Sequence, residues 1–169
     1  MEEVRCYFAI IAAGTAVIFL NILHLCQNAF DALGKAFFQV ASVITTTGFA
    51  TADFDLWPTA SKTVLIMLMF VGACAGSTGG GMKVSRYIIM VKTIAKEFGS
   101  YIHPKSIKKL KMDGKPIEHE VVRSTNVYFI TFFLLFAASV FLVSLEGQDP
   151  VTSFTAVVAT INTIGPGLA

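Results

Sequence analysis

Two short polar strips lie in otherwise apolar surroundings: Thr45-Thr46-Thr47-Gly48 and Asn162-Thr163-Ile164-Gly165. Three consecutive β-branched residues crowd a helix at χ1, and Gly48 allows backbone angles closed to other residues. The first strip is therefore expected to leave a helix and run extended. Extended backbone presents successive carbonyls, and rings of carbonyls replace the hydration shell of an ion in cation filters. One strip cannot surround an ion, but several around an axis can. The blander alternative is a kinked helix whose Thr hydroxyls bond back to i−4 carbonyls.

A third stretch, Gly76-Ser77-Thr78-Gly79-Gly80-Gly81, interrupts an apolar run. Close helix packing uses small residues, but three adjacent glycines exceed that need. A phosphate-binding loop fails on sequence, because Gly81 is followed by Met82-Lys83-Val84 rather than Lys-Ser/Thr. Other chemistries fare no better. Cys6, Cys26 and Cys74 have no CxxC partner, and His24, His103 and His119 are scattered, so disulfide and zinc frameworks fail on spacing. The cysteines read as small buried hydrophobes.

The elements around these strips are those of a membrane protein. The chain has 169 residues, 54% hydrophobic and 14% charged, with a mean hydropathy of +0.69. A soluble domain carries roughly 25% charged residues. Long uncharged runs cover 6–30, 36–52, 63–82, 124–145 and 150–169, and about 20 apolar residues span a bilayer. No cleavable leader is expected, since Met1-Glu2-Glu3 lacks a basic start.

The run after Arg5 is long enough to cross. Asn28–Ile44 is too short, and with the strip after it suggests a re-entrant loop, since irregular backbone at membrane depth must be buried in protein or line water. Such a helix turns its partial negative end toward the bilayer middle. Asp53–Pro58 reads as an aqueous loop with Trp57 at headgroup level. The crossing after Lys62 is broken by the glycine-rich loop and resumes over Met82–Phe98. A second full crossing is expected over Ser124–Leu145.

A repeat underlies this order. At an offset of 117 residues, Phe37, Val40, Ile44, Thr46 and Gly48 fall on Phe154, Val157, Ile161, Thr163 and Gly165. Apolar similarity does not explain the matched Thr and Gly. The unit is spanning helix, half-inserted helix, Thr/Gly strip, helix, with the last helix of the second copy missing.

Ten of the 13 basic residues lie between Lys83 and Arg123. Cytoplasmic loops collect Lys and Arg, which puts 83–123 on the cytoplasmic side. The basic run is read as topology first, with a lipid or partner-protein site as the alternative. Nucleic-acid binding is not expected, for no fold or aromatic stacking platform accompanies the charge.

ITTTGFATADFDLWP, FVGACAGSTGGGMKVSR, the Ile102-His103-Pro104 linker and SFTAVVATINTIGPGL together resemble the Trk/Ktr/HKT superfamily of potassium transporters, nearest to its bacterial Trk membrane subunits. The resemblance covers essentially the whole chain. It implies an all-α membrane protein of four membrane–pore–membrane repeats in the bacterial inner membrane, of which 1–98 is the third, 99–120 a cytoplasmic linker and 121–169 an incomplete fourth. It implies further that Thr45, Thr46, Thr47 and Gly48 form the third filter strand and Asn162, Thr163, Ile164 and Gly165 the fourth, with potassium held at these residues. Gly76–Gly81 matches the loop taken as the gate. Ile164 departs from a hydroxyl, which matters little if carbonyls bind the ion. A homodimer, a cytoplasmic nucleotide-binding regulatory subunit and surrounding lipid are the implied partners. No cofactor or enzymatic step is implied. The alternative is a sodium or mixed monovalent-cation transporter of the same architecture, although glycine at both filter positions matches the family's potassium preference. A membrane enzyme lacks a nucleophile–base pair or metal cluster at depth, and a packing protein has no use for the Thr/Gly strip.

Overall fold

The computed structural model describes residues 1–26, 28–102, 110–165 and 167. Its helices are α1 (Glu2–Ile22), α2 (Ala29–Ile44), α3 (Thr59–Met69), α4 (Val84–Ile102), α5 (His119–Ser144) and α6 (Pro150–Ile161). A small hairpin, β1 (Lys111–Met112) with β2 (Lys115–Pro116), joins α4 to α5.

Among the described residues, two segments are long and apolar enough to cross a membrane: Glu2–Leu25 at 24 residues and His119–Ser144 at 26. Both are hydrophobic all round and bury little of their length inside the chain, as lipid-facing helices do. The shorter α2 and α6, 16 and 12 residues, reach about 24 and 18 Å at 1.5 Å per residue. Neither spans the roughly 30 Å hydrocarbon core. Asp149 caps α6 by accepting the Val151 N–H at 3.2 Å, with Pro150 in its first turn.

One face of α2 is buried at Ala32, Ala36, Gln39, Val40, Val43 and Ile44, a helical repeat. It packs against α1 and α3, while α6 packs against α5 and α3. Ile18, Ile22, Leu65, Met69 and Val158 complete the core. Phe70, Phe136 and Phe154 lock the end of α3 to α5 and α6, with ring centres 5.2 to 6.3 Å apart. Arg86 lies 3.7 Å over the Tyr128 ring and ties α4 to α5.

Several sequence expectations need correcting. Helix α4 continues through Gly99 to Ile102 rather than stopping at Phe98. A glycine in a helix interior costs only about 1 kcal/mol. Helix α5 begins at His119, so Arg123 lies within it, where a long side chain can carry its charge to the interface. The stretch between holds a hairpin, which makes the fold mostly helical rather than wholly so. Its turn residues Asp113 and Gly114 both have positive φ, 51° and 79°, the requirement of the tightest hairpin turns. Trp57, expected at headgroup level, is 8% exposed and packs in the core cluster. Cys6, Cys26 and Cys74 are half-buried free thiols. His103, Pro104, Lys105, Lys108 and Lys109 lie outside the described residues.

Candidate functional site

Helices α2 and α6 end in the same way. Thr46 N–H bonds the Val43 carbonyl at 3.1 Å and Thr47 N–H the Ser42 carbonyl at 2.9 Å; Thr163 N–H bonds Thr160 at 3.0 Å and Ile164 N–H bonds Ala159 at 2.9 Å. This pair of bonds defines a Schellman cap, whose turning residue is left-handed and usually glycine. Here it is threonine, with φ of 57° at Thr46 and 56° at Thr163. A β-branched residue in that region is an outlier, and such strain clusters at functional sites. Gly48 and Gly165 follow with φ of 77° and 103°, angles at which any side chain would be strained.

The strips are therefore not extended from their first residue. Thr45 and Asn162 cap the two helices, Thr46 and Thr163 make the left-handed turn, and the chain runs on from the caps only at Thr47 and Ile164. Satisfying the orphan carbonyls of each helix end outweighs the β-branched preference. Part of the kinked-helix alternative also holds. Thr45 Oγ1 donates to the Ala41 carbonyl at 2.7 Å and lies 2.7 Å from Thr47 Oγ1. Asn162 Nδ2 makes the matching bond to Val158 at 2.9 Å. Ile164 is 3% exposed and belongs to the core, whereas Thr47 is exposed. Ser42 Oγ holds the departing first strip by donating to the Phe49 carbonyl at 2.6 Å.

The glycine-rich loop brings the two turns together. It leaves α3 and returns to α4 through a neck in which Gly72 N–H bonds the Met82 carbonyl at 2.8 Å and Val71 bridges Met82. Gly80 N–H donates to Thr46 Oγ1 at 3.1 Å. A Cβ on Gly80 would overlap Thr163 Oγ1 and the Asn162 carbonyl oxygen. One on Gly79 would meet Thr46 Oγ1 at 3.2 Å, and one on Gly81 the Asn162 Oδ1 at 3.1 Å. Gly79–Gly81 thus sit in the seam between both turns. Gly76, Ser77 and Thr78 do not; they are exposed on the far side of the loop. Among the described residues, Asn162 Oδ1 is buried without a hydrogen-bond partner.

Two residues absent from the candidate set hold the loop from outside. Glu3 on α1 accepts from Ala75 N–H at 2.6 Å and Ser85 N–H at 3.2 Å. Its carboxylate so meets the positive end of α4 as well as the loop. Lys83 Nζ donates to the Ser77 carbonyl at 3.0 Å, Ser77 Oγ at 3.1 Å and the Gly79 carbonyl at 2.5 Å. Sequence gave no signal for Glu3, which lies 72 residues from Ala75. Lys83 was visible only as a charge at the edge of an apolar run. No cluster of three or more His, Cys, Asp or Glu able to hold a metal occurs among the described residues.

Comparison with known proteins fits this arrangement. The chain is 36% identical over 168 residues to the Trk system potassium uptake protein TrkH of Vibrio parahaemolyticus, covering 98% of this chain and 35% of that one. It is 32% identical over 161 residues to the TrkH of Escherichia coli K12, covering 95% of this chain and 33% of that one. The crystal structure of the potassium transporter TrkH from Vibrio parahaemolyticus superposes with a TM-score of 0.91 at 36% identity, covering 98% of this chain and 36% of that one. The chain thus spans about a third of the length of these relatives. With residues 10–169 matched by the model of the TrkH cation transport proteins, the chain belongs to the TrkH family.

Proposed function

We propose that residues 1–169 supply two of the four quarters of a potassium uptake pathway, with the turns after α2 and α6 as filter segments and Gly76–Gly81 as the gate. Potassium is the cargo, held by backbone carbonyls around Gly48 and Gly165, and no covalent chemistry takes place. The observation that carries this reading is the seating of Gly79–Gly81 on both turns at once. A loop in that seam blocks a path between the turns, and its withdrawal opens one. The relatives' name as potassium uptake proteins supports the cargo.

The finer architecture follows the matched geometry of the two helix ends, 117 residues apart. Each is preceded by a crossing helix, giving a membrane–pore–membrane unit over 1–98 and an incomplete one over 121–169, joined by the linker 99–120. The working assembly is a homodimer in the bacterial inner membrane, regulated by a nucleotide-binding subunit at the cytoplasmic face of 83–123.

Gly48→Ser in the intact transporter tests the filter. With φ at 77°, a side chain there strains the turn and re-aims its carbonyls. Rubidium and sodium uptake, measured in cells lacking their own potassium uptake, should show a reduced preference for rubidium. An unchanged preference removes Gly48 from the filter, and a parent that takes up sodium as readily as rubidium replaces the potassium reading with a mixed-cation one.

A further inference from the structure

Lys83 is half-buried, and among the described residues no carboxylate lies within ion-pair distance of it. Its charge is met instead by three oxygens of the loop: the Ser77 carbonyl and hydroxyl and the Gly79 carbonyl. Lys83 stands just past the loop, so these bonds fold the loop back on its own exit. Gly79, whose carbonyl accepts the shortest of them at 2.5 Å, is also the residue packed against Thr46 Oγ1. The ammonium therefore acts on the loop segment that touches the first turn. A lysine with three donors and no competing acid is suited to this task, and bonds to a charged donor are the stronger kind.

We infer that Lys83 is a positioning residue that latches the glycine-rich loop into the seam between the two turns, its ammonium serving as a tethered cation for carbonyls the loop cannot satisfy internally. The inference rests on reading the loop as a gate. Glycine-rich backbone pays a large entropy cost on being ordered, and its polar groups at depth require partners. Lys83 provides both the partner and the restraint. Breaking the latch frees the loop without touching Gly48 or Gly165, so flux and selectivity separate.

The experiment compares Lys83→Met, Lys83→Arg, Ser77→Ala and Gly80→Ala in the intact transporter, measuring rubidium flux without activation, rubidium-over-sodium preference and membrane abundance. Lys83→Met should raise unstimulated flux about tenfold, the scale of losing hydrogen bonds to one charged group, with preference unchanged. Lys83→Arg should restore most of the restraint. Ser77→Ala, which removes one of three acceptors, should shift flux the same way by less, and it carries the test if Lys83→Met fails to reach the membrane. If Gly80→Ala alters flux while Lys83→Met and Ser77→Ala do not, the latch is overturned and the gate stands. A change in preference in Lys83→Met also overturns it, placing the ammonium in the ion path. If none of the four alters flux, the gate reading falls and the latch with it.

Discussion

At the residue scale, the informative feature is threonine where a helix cap calls for glycine. Thr46 and Thr163 hold φ near 57° and 56°, a conformation that costs a non-glycine residue about 1–3 kcal/mol. Thr46 returns something for this, since its hydroxyl accepts the Gly80 N–H at 3.1 Å; a neutral hydrogen bond contributes about 0.5–1.5 kcal/mol. Thr46→Gly should relieve the strain and lose the bond, leaving thermal stability in detergent equal to or above the parent. Thr46→Ala keeps the strain and loses the bond, so it should melt lower than both. If the alanine variant melts at or above the glycine variant, the left-handed turn is not strained as described. The composition of these turns was legible in the sequence, because Thr46/Thr163 and Gly48/Gly165 recur at one offset. The left-handed angle was not, since β-branching predicts extended backbone and only the competition for orphan carbonyls at the helix end reverses it.

At the element scale, α2, α6 and the glycine-rich loop form one unit. The short length of α2 and the break between α3 and α4 followed from the apolar run lengths, and that of α6 from its repeat match to α2; the structure has all three. What remained hidden was which face of the loop touches what. Residues 76–81 looked equivalent in sequence, yet only Gly79–Gly81 line the seam while Gly76 has nothing near its missing Cβ. Glu3 was equally invisible, because its partners Ala75 and Ser85 are brought to it only by the folding of α1 against α4. The glycines consequently differ in what alanine does to them. Gly80→Ala drives a methyl into Thr163 Oγ1 and the Asn162 carbonyl, so the loop cannot seat and unstimulated flux should rise severalfold with ion preference kept. Gly99→Ala, in α4 with nothing within 4 Å, should leave flux alone and gain up to about 1 kcal/mol of helix propensity. Equal flux in the two variants would show that the loop's seat on the second turn has no part in conduction.

At the scale of the whole molecule, connectivity and charge orient the chain together. The hairpin is tied to the start of α1: Asp113 accepts the Glu2 N–H at 2.7 Å, and Lys92 bonds both the Glu2 carboxylate and the Lys111 carbonyl. Helix α5 begins three residues after β2, so α1 and α5 start on one side. With 21 and 26 residues, they rise about 32 and 39 Å and finish on the other. Helices α2 and α6 then begin there, after the turns at Leu23–Leu25 and 145–149, and run back to the loop. Their partially negative C-terminal ends meet at the seam, which suits the cation path proposed there. On the proposed topology the basic residues clustered over 83–123 put the hairpin side in the cytoplasm, as such loops collect Lys and Arg, and Asp53–Trp57 outside. Single cysteines at Lys115 and Asp55 of a cysteine-free parent should separate the two faces. An impermeant thiol reagent added to whole cells should label position 55 and spare 115 until the membrane is permeabilised. Labelling at 115 in whole cells would invert the orientation, point both half-inserted helices outward from the cytoplasmic side, and set the glycine-rich loop at the external mouth of the path.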